Sequence, residues 1–132
     1  MGLFIKERDI EQYLKDKGYT YGKSMSVWAF GITIGLPVPD YSILNFSDSG
    51  VSVMGVDSIT GKFTGSDLFL NNENIRLIKF RKKILGYRFQ LETNMTIDGF
   101  ENVDLEFDVR RKIIGCKWHV ENLQTILSKY RS

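Results

Sequence analysis

The sequence predicts one mainly β domain (α+β): a bent antiparallel barrel of about six or seven strands with a short N-terminal helix and a C-terminal helix that closes it. Three observations lead to this fold class. Apolar residues recur at helical spacing near both ends of the chain, and between Tyr19 and Val109 they mostly alternate with polar residues. The 132 residues, 42% of them hydrophobic, suffice for one core and not for two. We expect a single domain over 1–132, with the first helix in 1–18, the strands in 19–112 and the last helix in 117–130.

Each end of the chain predicts an amphipathic helix. In the first segment, Ile5–Lys17, Asp9 and Gln12 have the spacing of a capping pair, and Gly18 stands where a helix commonly ends. The residues at helical spacing in this segment are Ile10, Tyr13, Leu14 and Lys17. The last segment, Trp118–Tyr130, returns to the helical period and is expected to cover one end of the sheet. Its apolar stripe is Val120, Leu123, Ile126, Leu127 and Tyr130.

Between the helices, seven segments predict strands. The short polar residues Ser47-Asp48-Ser49-Gly50 are typical of a hairpin turn, and Arg81-Lys82-Lys83 is interpreted as the basic tip of a second hairpin. The last strand alternates apolar and acidic residues, which is typical of a half-buried antiparallel strand. The predicted strands are Val27–Leu36, Tyr41–Phe46, Val51–Val56, Lys62–Leu70, Ile75–Phe80, Ile84–Thr93 and Val103–Val109.

Three stretches follow one another in an order that is typical of a known family. They are the strand, turn and strand of Ile43-Leu44-Asn45-Phe46-Ser47-Asp48-Ser49-Gly50-Val51, the run Ser66-Asp67-Leu68-Phe69-Leu70 leading to Asn74-Ile75-Arg76-Leu77-Ile78, and the helix that begins at Trp118. Over about Tyr41 to Tyr130 the chain therefore resembles a bacterial pleckstrin-homology-like (PH-like) domain, of the kind grouped with GRAM-like domains.

The resemblance implies a strongly bent antiparallel barrel plugged by its last helix, and a role as a docking surface instead of a catalyst. In members that bind phosphoinositides, basic residues crowd the first hairpin of the barrel. The resemblance places Ile43–Val56 there, and this segment contains Asp48 but no Lys or Arg. Inositide binding is therefore not expected.

Cysteine and histidine are scarce, although serines and acids abound. Cys116 and His119 form a C-x-x-H pair, but a closed zinc site needs four ligands and the sequence has no other Cys or His. Gly50 and Gly55 have the separation of a phosphate-binding loop, yet Val56 follows where Lys is required. We therefore predict no cofactor, no metal and no catalytic residue, and a structural or surface role for the Cys-His pair.

The acidic residues of the last predicted strand allow an alternative, enzymatic interpretation. Asp104, Glu106 and Asp108 share one face of the last strand, with alternate positions roughly 6.5–7 Å apart. That spacing lies within the range for the acid and base of inverting glycosidases. A solvated strand face paired across to Arg88 explains the row more simply, so a small hydrolase is the least favoured function and the protein is expected not to be an enzyme.

Charge is arranged in blocks although the formal net charge is only +2. Six basic residues and no acid lie between Arg76 and Arg88, and the next stretch to Asp108 has six acids and no base. The basic turns Arg81-Lys82-Lys83 and Arg110-Arg111-Lys112 can reach the same side of an antiparallel meander. There they would bind nucleic acid or an anionic membrane surface, or simply keep the domain soluble and discourage edge pairing.

Taken together, these patterns predict a non-enzymatic PH-like interaction module that docks on a protein partner or on itself, because a surface of mixed charge suits a protein partner. Binding of nucleic acid or anionic lipid through 81–83 and 110–112 is the alternative. Trp28 and Phe30 belong either to a core strand or to an exposed docking patch. The longest uncharged run, Ser24–Pro39, is shorter than the ~20 residues of a membrane span. Because no secretory leader is recognisable, we predict a cytoplasmic location.

Overall fold

The computed structural model describes residues 6–29, 41–57, 59–96, 99, 101–102, 104–112 and 117–130; for 24–29 and for Ser66 it describes the backbone. These residues form two α-helices, a 3-10 turn at Asn72–Asn74 and seven strands. The helices are α1 (Glu7–Lys17) and α2 (Lys117–Tyr130), and the strands are β1 (Lys23–Ala29), β2 (Tyr41–Ser47), β3 (Gly50–Val56), β4 (Phe63–Asn71), β5 (Ile75–Lys83), β6 (Gly86–Thr93) and β7 (Asp104–Arg110).

The strands are antiparallel and follow the order β4-β3-β2-β1-β7-β6-β5. β1 pairs with β2 from Lys23 to Trp28, whereas it meets β7 at Trp28–Asp108 and Ala29–Phe107. A four-stranded half and a three-stranded half therefore join through β1 and β7, at two residue pairs among the described residues. The mainly β, antiparallel architecture with a helix near each end is confirmed.

The expectation of a closed barrel is wrong for the part of the chain described. No strand pairing there joins β4 to β5, so both remain edge strands. The ladder of β4 on β3 shifts register between Met54 and Val56, and Gly65 in β4 has a positive φ of 87°. Helix α2 supplies the missing cover, since its Leu123, Ile126 and Leu127 enter the core between the two halves.

Strands β2 and β3 are buried on both faces. Successive side chains of a strand point to opposite faces, and here both sets meet apolar neighbours. One face, with Leu44 and Val53, packs against α2 and the β5–β6–β7 half. The other face, with Ile43 and Met54, packs against Ile10 of α1 and against other residues of a second cluster. The strict alternation expected for β7 is confirmed, because Leu105, Phe107 and Val109 are buried.

Helix α1 packs on the sheet face that carries Ile43 and Met54, and Tyr13 makes its aromatic contact there. The Tyr13 ring stacks on Phe63 with centroids 4.0 Å apart, and its hydroxyl donates a hydrogen bond of 2.6 Å to Asp67 Oδ2. Burial and the neighbouring Asp67 carboxylate raise the pKa of this phenol, so it is a proton donor at all ordinary pH values.

The ends of α1 correct one detail of the sequence prediction. Asp9 does not pair with Gln12; its carboxylate accepts the backbone N–H of Lys6 at 3.3 Å, before the first turn. Gln12 instead donates to Asp16 one turn later. Gly18 ends the helix as predicted, in the left-handed conformation with φ 80°.

The first described strand begins before the predicted Val27–Leu36, and residues 30–40 lie outside the described residues. The cause is Asn45, whose side-chain amide accepts the N–H of Gly22 at 2.8 Å and donates to its carbonyl at 3.0 Å. These bonds draw Gly22 so close to β2 that a Cβ would lie 1.8 Å from the Phe46 carbonyl oxygen. The first hairpin is therefore β1–β2, and Ile43–Val56, expected there, is the second.

His119 is fully buried in α2, where its Nε2 lies 2.6 Å from the carbonyl oxygen of Arg110. A carbonyl only accepts, so Nε2–H donates and the ring is held beside the last residue of β7. Burial lowers the pKa of His119 below its usual 6.5, and the hydrogen bond to Arg110 offsets part of this effect. The sequence predicts a structural or surface role for the Cys116–His119 pair; His119 is buried, and Cys116 lies outside the described residues.

We expect the free energy of unfolding to fall as the pH drops below about 6.5. The unfolded chain then binds a proton at His119 that the folded chain resists, so stability is fully present above that pH and declines towards the lower folded-state pKa. Urea unfolding at a series of pH values from neutral to 5 measures this loss. His119→Gln, which retains a side-chain N–H donor, should flatten the dependence; an unchanged slope in this variant would contradict the assignment.

Candidate functional site

The β5–β6 hairpin ends in a turn of two residues, Ile84 and Leu85. Lys83 pairs with Gly86 immediately before this turn, and the ladder continues without a shift to Leu77–Glu92. The interpretation of Arg81-Lys82-Lys83 as the hairpin tip is therefore wrong: these three residues belong to β5.

Aromatic packing fixes this register. Phe80 lies opposite Phe89, their ring centroids are 4.8 Å apart, and Phe89 is fully buried in the core. Ile78 pairs with Leu91 on the same face. A slip of one residue would turn this apolar set towards solvent, so the core places Ile84 and Leu85 in the turn regardless of their poor suitability for it.

The two basic runs meet at one end of the sheet. Lys83 pairs with Gly86, which in turn pairs with Arg110 at the end of β7. At the usual strand spacing the Cα atoms of Lys83 and Arg110 stand about 10 Å apart across β6. Arg111 and Lys112 follow Arg110 in the chain and border the apolar side of α2. We call the surface formed by Arg81, Lys82, Lys83, Arg110, Arg111 and Lys112 the basic end.

The cations of the basic end are all exposed. Lys83 Nζ is 3.3 Å from Asp108 Oδ1. Arg111 lies over the ring of Tyr87, 5.9 Å from its centroid. In the described part of the chain, no carboxylate lies within 4.0 Å of Arg81, Lys82, Arg110, Arg111 or Lys112. Most of these cations are therefore not held in ion pairs with the carboxylates that the structure describes.

Two shallow depressions flank Tyr87 at this end. The first, of about 160 Å³, is bordered by Lys83, Leu85 and Arg110. The second, of about 210 Å³, lies where Arg111 and Lys112 approach the apolar side of α2. The wall of the first also includes the Asp108 carboxylate, whereas the second combines apolar side chains of α2 with two cations. The second depression is therefore the more suitable for an anionic group attached to an apolar body.

Sequence reasoning missed the apolar residues of the tip. Ile84 is 93% exposed and Leu85 is 85% exposed, although they are large aliphatic side chains. The available signal was the alternation of β5 and β6 itself, which places the midpoint of the hairpin between residues 84 and 85. The sequence pattern instead predicts a strand that begins at Ile84.

Ile59, in the β3–β4 loop, is 90% exposed and offers a comparison. Its surroundings are acidic: the Asp57 carboxylate accepts the backbone N–H groups of Thr60 and Ile59 at 2.9 and 2.8 Å, which lowers the pKa of Asp57. An exposed aliphatic residue beside a fixed negative charge thus lies on the opposite end of the strands from the basic end.

The acidic row of β7 is distributed among ion pairs on an open face. Asp108 lies 2.8 Å from Arg88 Nε, Glu106 is 4.0 Å from Arg88 Nη1, and Asp104 is 3.6 Å from Arg76 Nη2. The side chains of Asp104, Glu106 and Asp108 are 44%, 40% and 36% exposed. Asp108 borders the depression between Lys83 and Arg110, and all three acids lie beside cations on an exposed strand face.

Other predicted sites fall partly outside the described residues. The backbone of Trp28 lies in β1 opposite Tyr41 and Asp108, while Phe30 and Cys116 lie outside the described residues. Across the ranges that are described, no group of three or more His, Cys, Asp or Glu side chains could hold a metal ion. Neither of the two described helices is both long and apolar enough to cross a bilayer.

A larger groove, of about 470 Å³, lies between the last turns of α2 and the β2–β3 turn. Its apolar part includes Phe46 and Tyr130, but its rim carries Lys23 and Lys129 together with acidic residues. Two lysines border this groove beside two acids, whereas six cations form the basic end.

Comparison of the chain with protein-family models, with curated proteins and with solved structures finds no match. The PH-like resemblance therefore stays a prediction.

We expect Arg88 and Asp108 to be energetically coupled. Their 2.8 Å contact is partly shielded, because the Arg88 side chain is only 17% exposed, and such pairs contribute up to about 1 kcal/mol. Urea unfolding of Arg88→Gln, Asp108→Asn and the double variant gives the coupling energy as the departure from additivity. It should shrink in high salt. Additive effects at low salt would show that the pair does not stabilise the fold.

Proposed function

We propose that this chain is a non-enzymatic interaction module that docks through its basic end onto a partner surface rich in negative charge. The observation that carries the proposal is the meeting of two sequence-distant basic runs across β6, at Lys83, Gly86 and Arg110. A cluster of this kind attracts an anionic surface over several ångströms and fixes the orientation of the encounter.

A PH-like architecture is part of the proposal. The succession of seven antiparallel strands, with the chain returning through β7 beside β1 and ending in a helix that covers the core, supports it. The basic end lies outside the first hairpin, which is where inositide-binding members concentrate their cations. The docking surface proposed for this chain therefore differs in position from that of the inositide-binding members.

The distribution of charge supports docking over a purely solubilising role. A solvated surface benefits from mixed signs, and β7 shows such a surface where Arg88 and Arg76 face its acids. At the basic end the mixing is weaker: in the described part of the chain Asp108 contacts Lys83 there, and this carboxylate is shared with Arg88. The basic end therefore differs from the exposed face of β7, where acids lie beside bases.

A charge test addresses the basic end directly. We expect the wild-type protein to bind immobilised heparin, used here as a general polyanion, at low ionic strength and to elute with salt. Arg110→Gln/Arg111→Gln/Lys112→Gln should elute at clearly lower salt, because each lost cation removes a counterion-releasing contact. Asp108→Asn should elute later than wild type, since it removes the acid closest to the basic end.

The control variant is Arg8→Gln/Lys15→Gln/Lys62→Gln, which removes the same net charge from exposed positions elsewhere. It should elute close to wild type. Equal losses in both triple variants would mean that net charge alone governs retention, and failure of the wild-type protein to bind would refute docking on a polyanionic surface.

A further inference from the structure

The tip of the β5–β6 hairpin presents two aliphatic side chains to solvent beside the basic end. Ile84 and Leu85 are 93% and 85% exposed, so the core gains almost nothing from their apolar character. Two-residue hairpin turns favour Asn, Asp and Gly, which means that turn formation does not call for them either. Neither packing nor backbone geometry explains these residues.

The surroundings of the tip are matched to it. Leu85 borders the same depression as Lys83 and Arg110, and Arg111 and Lys112 border the second depression, which adjoins Tyr87 and α2. The cations of the basic end therefore lie close to the exposed aliphatic side chains of the hairpin tip. Apolar residues that enter the acyl boundary, held by basic residues at the level of the headgroups, are the two contributions that bind proteins to the surface of an anionic bilayer.

We propose that Ile84 and Leu85 insert into the interface of an anionic lipid bilayer while the basic end contacts the lipid headgroups. This inference rests on the proposed docking function and names its partner. A nucleic acid would use the cations but leaves the aliphatic tip in water, and an acidic protein would need an apolar recess that fits it. The bilayer uses both features at once, in the order in which the hairpin presents them.

The fold tolerates the substitutions that test this inference. Because both side chains are almost fully exposed, Ile84→Ser/Leu85→Ser should leave the unfolding midpoint close to wild type, which urea unfolding verifies. Ile59→Ser is the matched control. It removes an aliphatic side chain of equal exposure that lies next to Asp57 and away from the basic end.

Sedimentation with vesicles of mixed phosphatidylcholine and phosphatidylserine measures binding. We expect the wild-type protein and Ile59→Ser to bind these vesicles, and to bind pure phosphatidylcholine weakly. Ile84→Ser/Leu85→Ser should lose about tenfold or more in vesicle affinity, since burial of two aliphatic side chains is lost. Its elution from heparin should stay close to wild type because no charge has changed.

The outcomes separate this inference from the proposed function. Vesicle binding that is unaffected in the double Ser variant would show that charge alone holds the protein and would overturn insertion. Retention on heparin without any vesicle binding would also overturn it, and would redirect the search to nucleic acid or acidic protein. If the wild-type protein binds neither heparin nor the mixed vesicles, the docking function itself is refuted.

A fluorescent side chain at the tip reports insertion independently. In Leu85→Trp, emission should shift to the blue on addition of the mixed vesicles, as the indole leaves water. Ile59→Trp should show no shift under the same conditions. Equal responses of the two variants would contradict entry of the tip into the bilayer.

Discussion

Burial of β2 and β3 on both faces is the constraint on which the rest of the structure depends. A strand pair that exposes apolar side chains on two sides needs two covers, and the chain supplies α1 for one side and α2 with the β5–β6–β7 half for the other. Asn122 of α2 donates a hydrogen bond of 3.0 Å to Glu7 of α1, so the two covers are also tied to each other.

This arrangement positions the basic end indirectly. The core holds Phe89 and Phe107, which fix the registers of β5 and β7 on β6 and so bring Lys83 and Arg110 into one row. His119 then links the start of α2 to the Arg110 carbonyl. Packing deep in the domain thus determines the spacing of charges at its surface.

The sequence alone was sufficient for elements whose burial follows a simple period. The alternation of β7, the hairpin around Gly50 and the three buried stripe residues of α2 were all predicted, because one buried face imposes a period of 2 or 3.6. The β5–β6 turn was not, since three consecutive basic residues outweighed the aromatic register that places the turn at Ile84. The start of β1 depended on a long-range contact between Asn45 and Gly22, which no local pattern reveals.

The shortness of the β5–β6 turn has a mechanical consequence. Because the ladder extends to Lys83–Gly86, the tip is a rigid extension of two strands and cannot swing independently of them. Helix α2 runs across the same end, from beside Arg110 to the ring of Tyr130 near Phe46. Any surface that binds the tip therefore also fixes the orientation of the domain. This orientation determines which side of α2 faces that surface and which side remains accessible to another molecule.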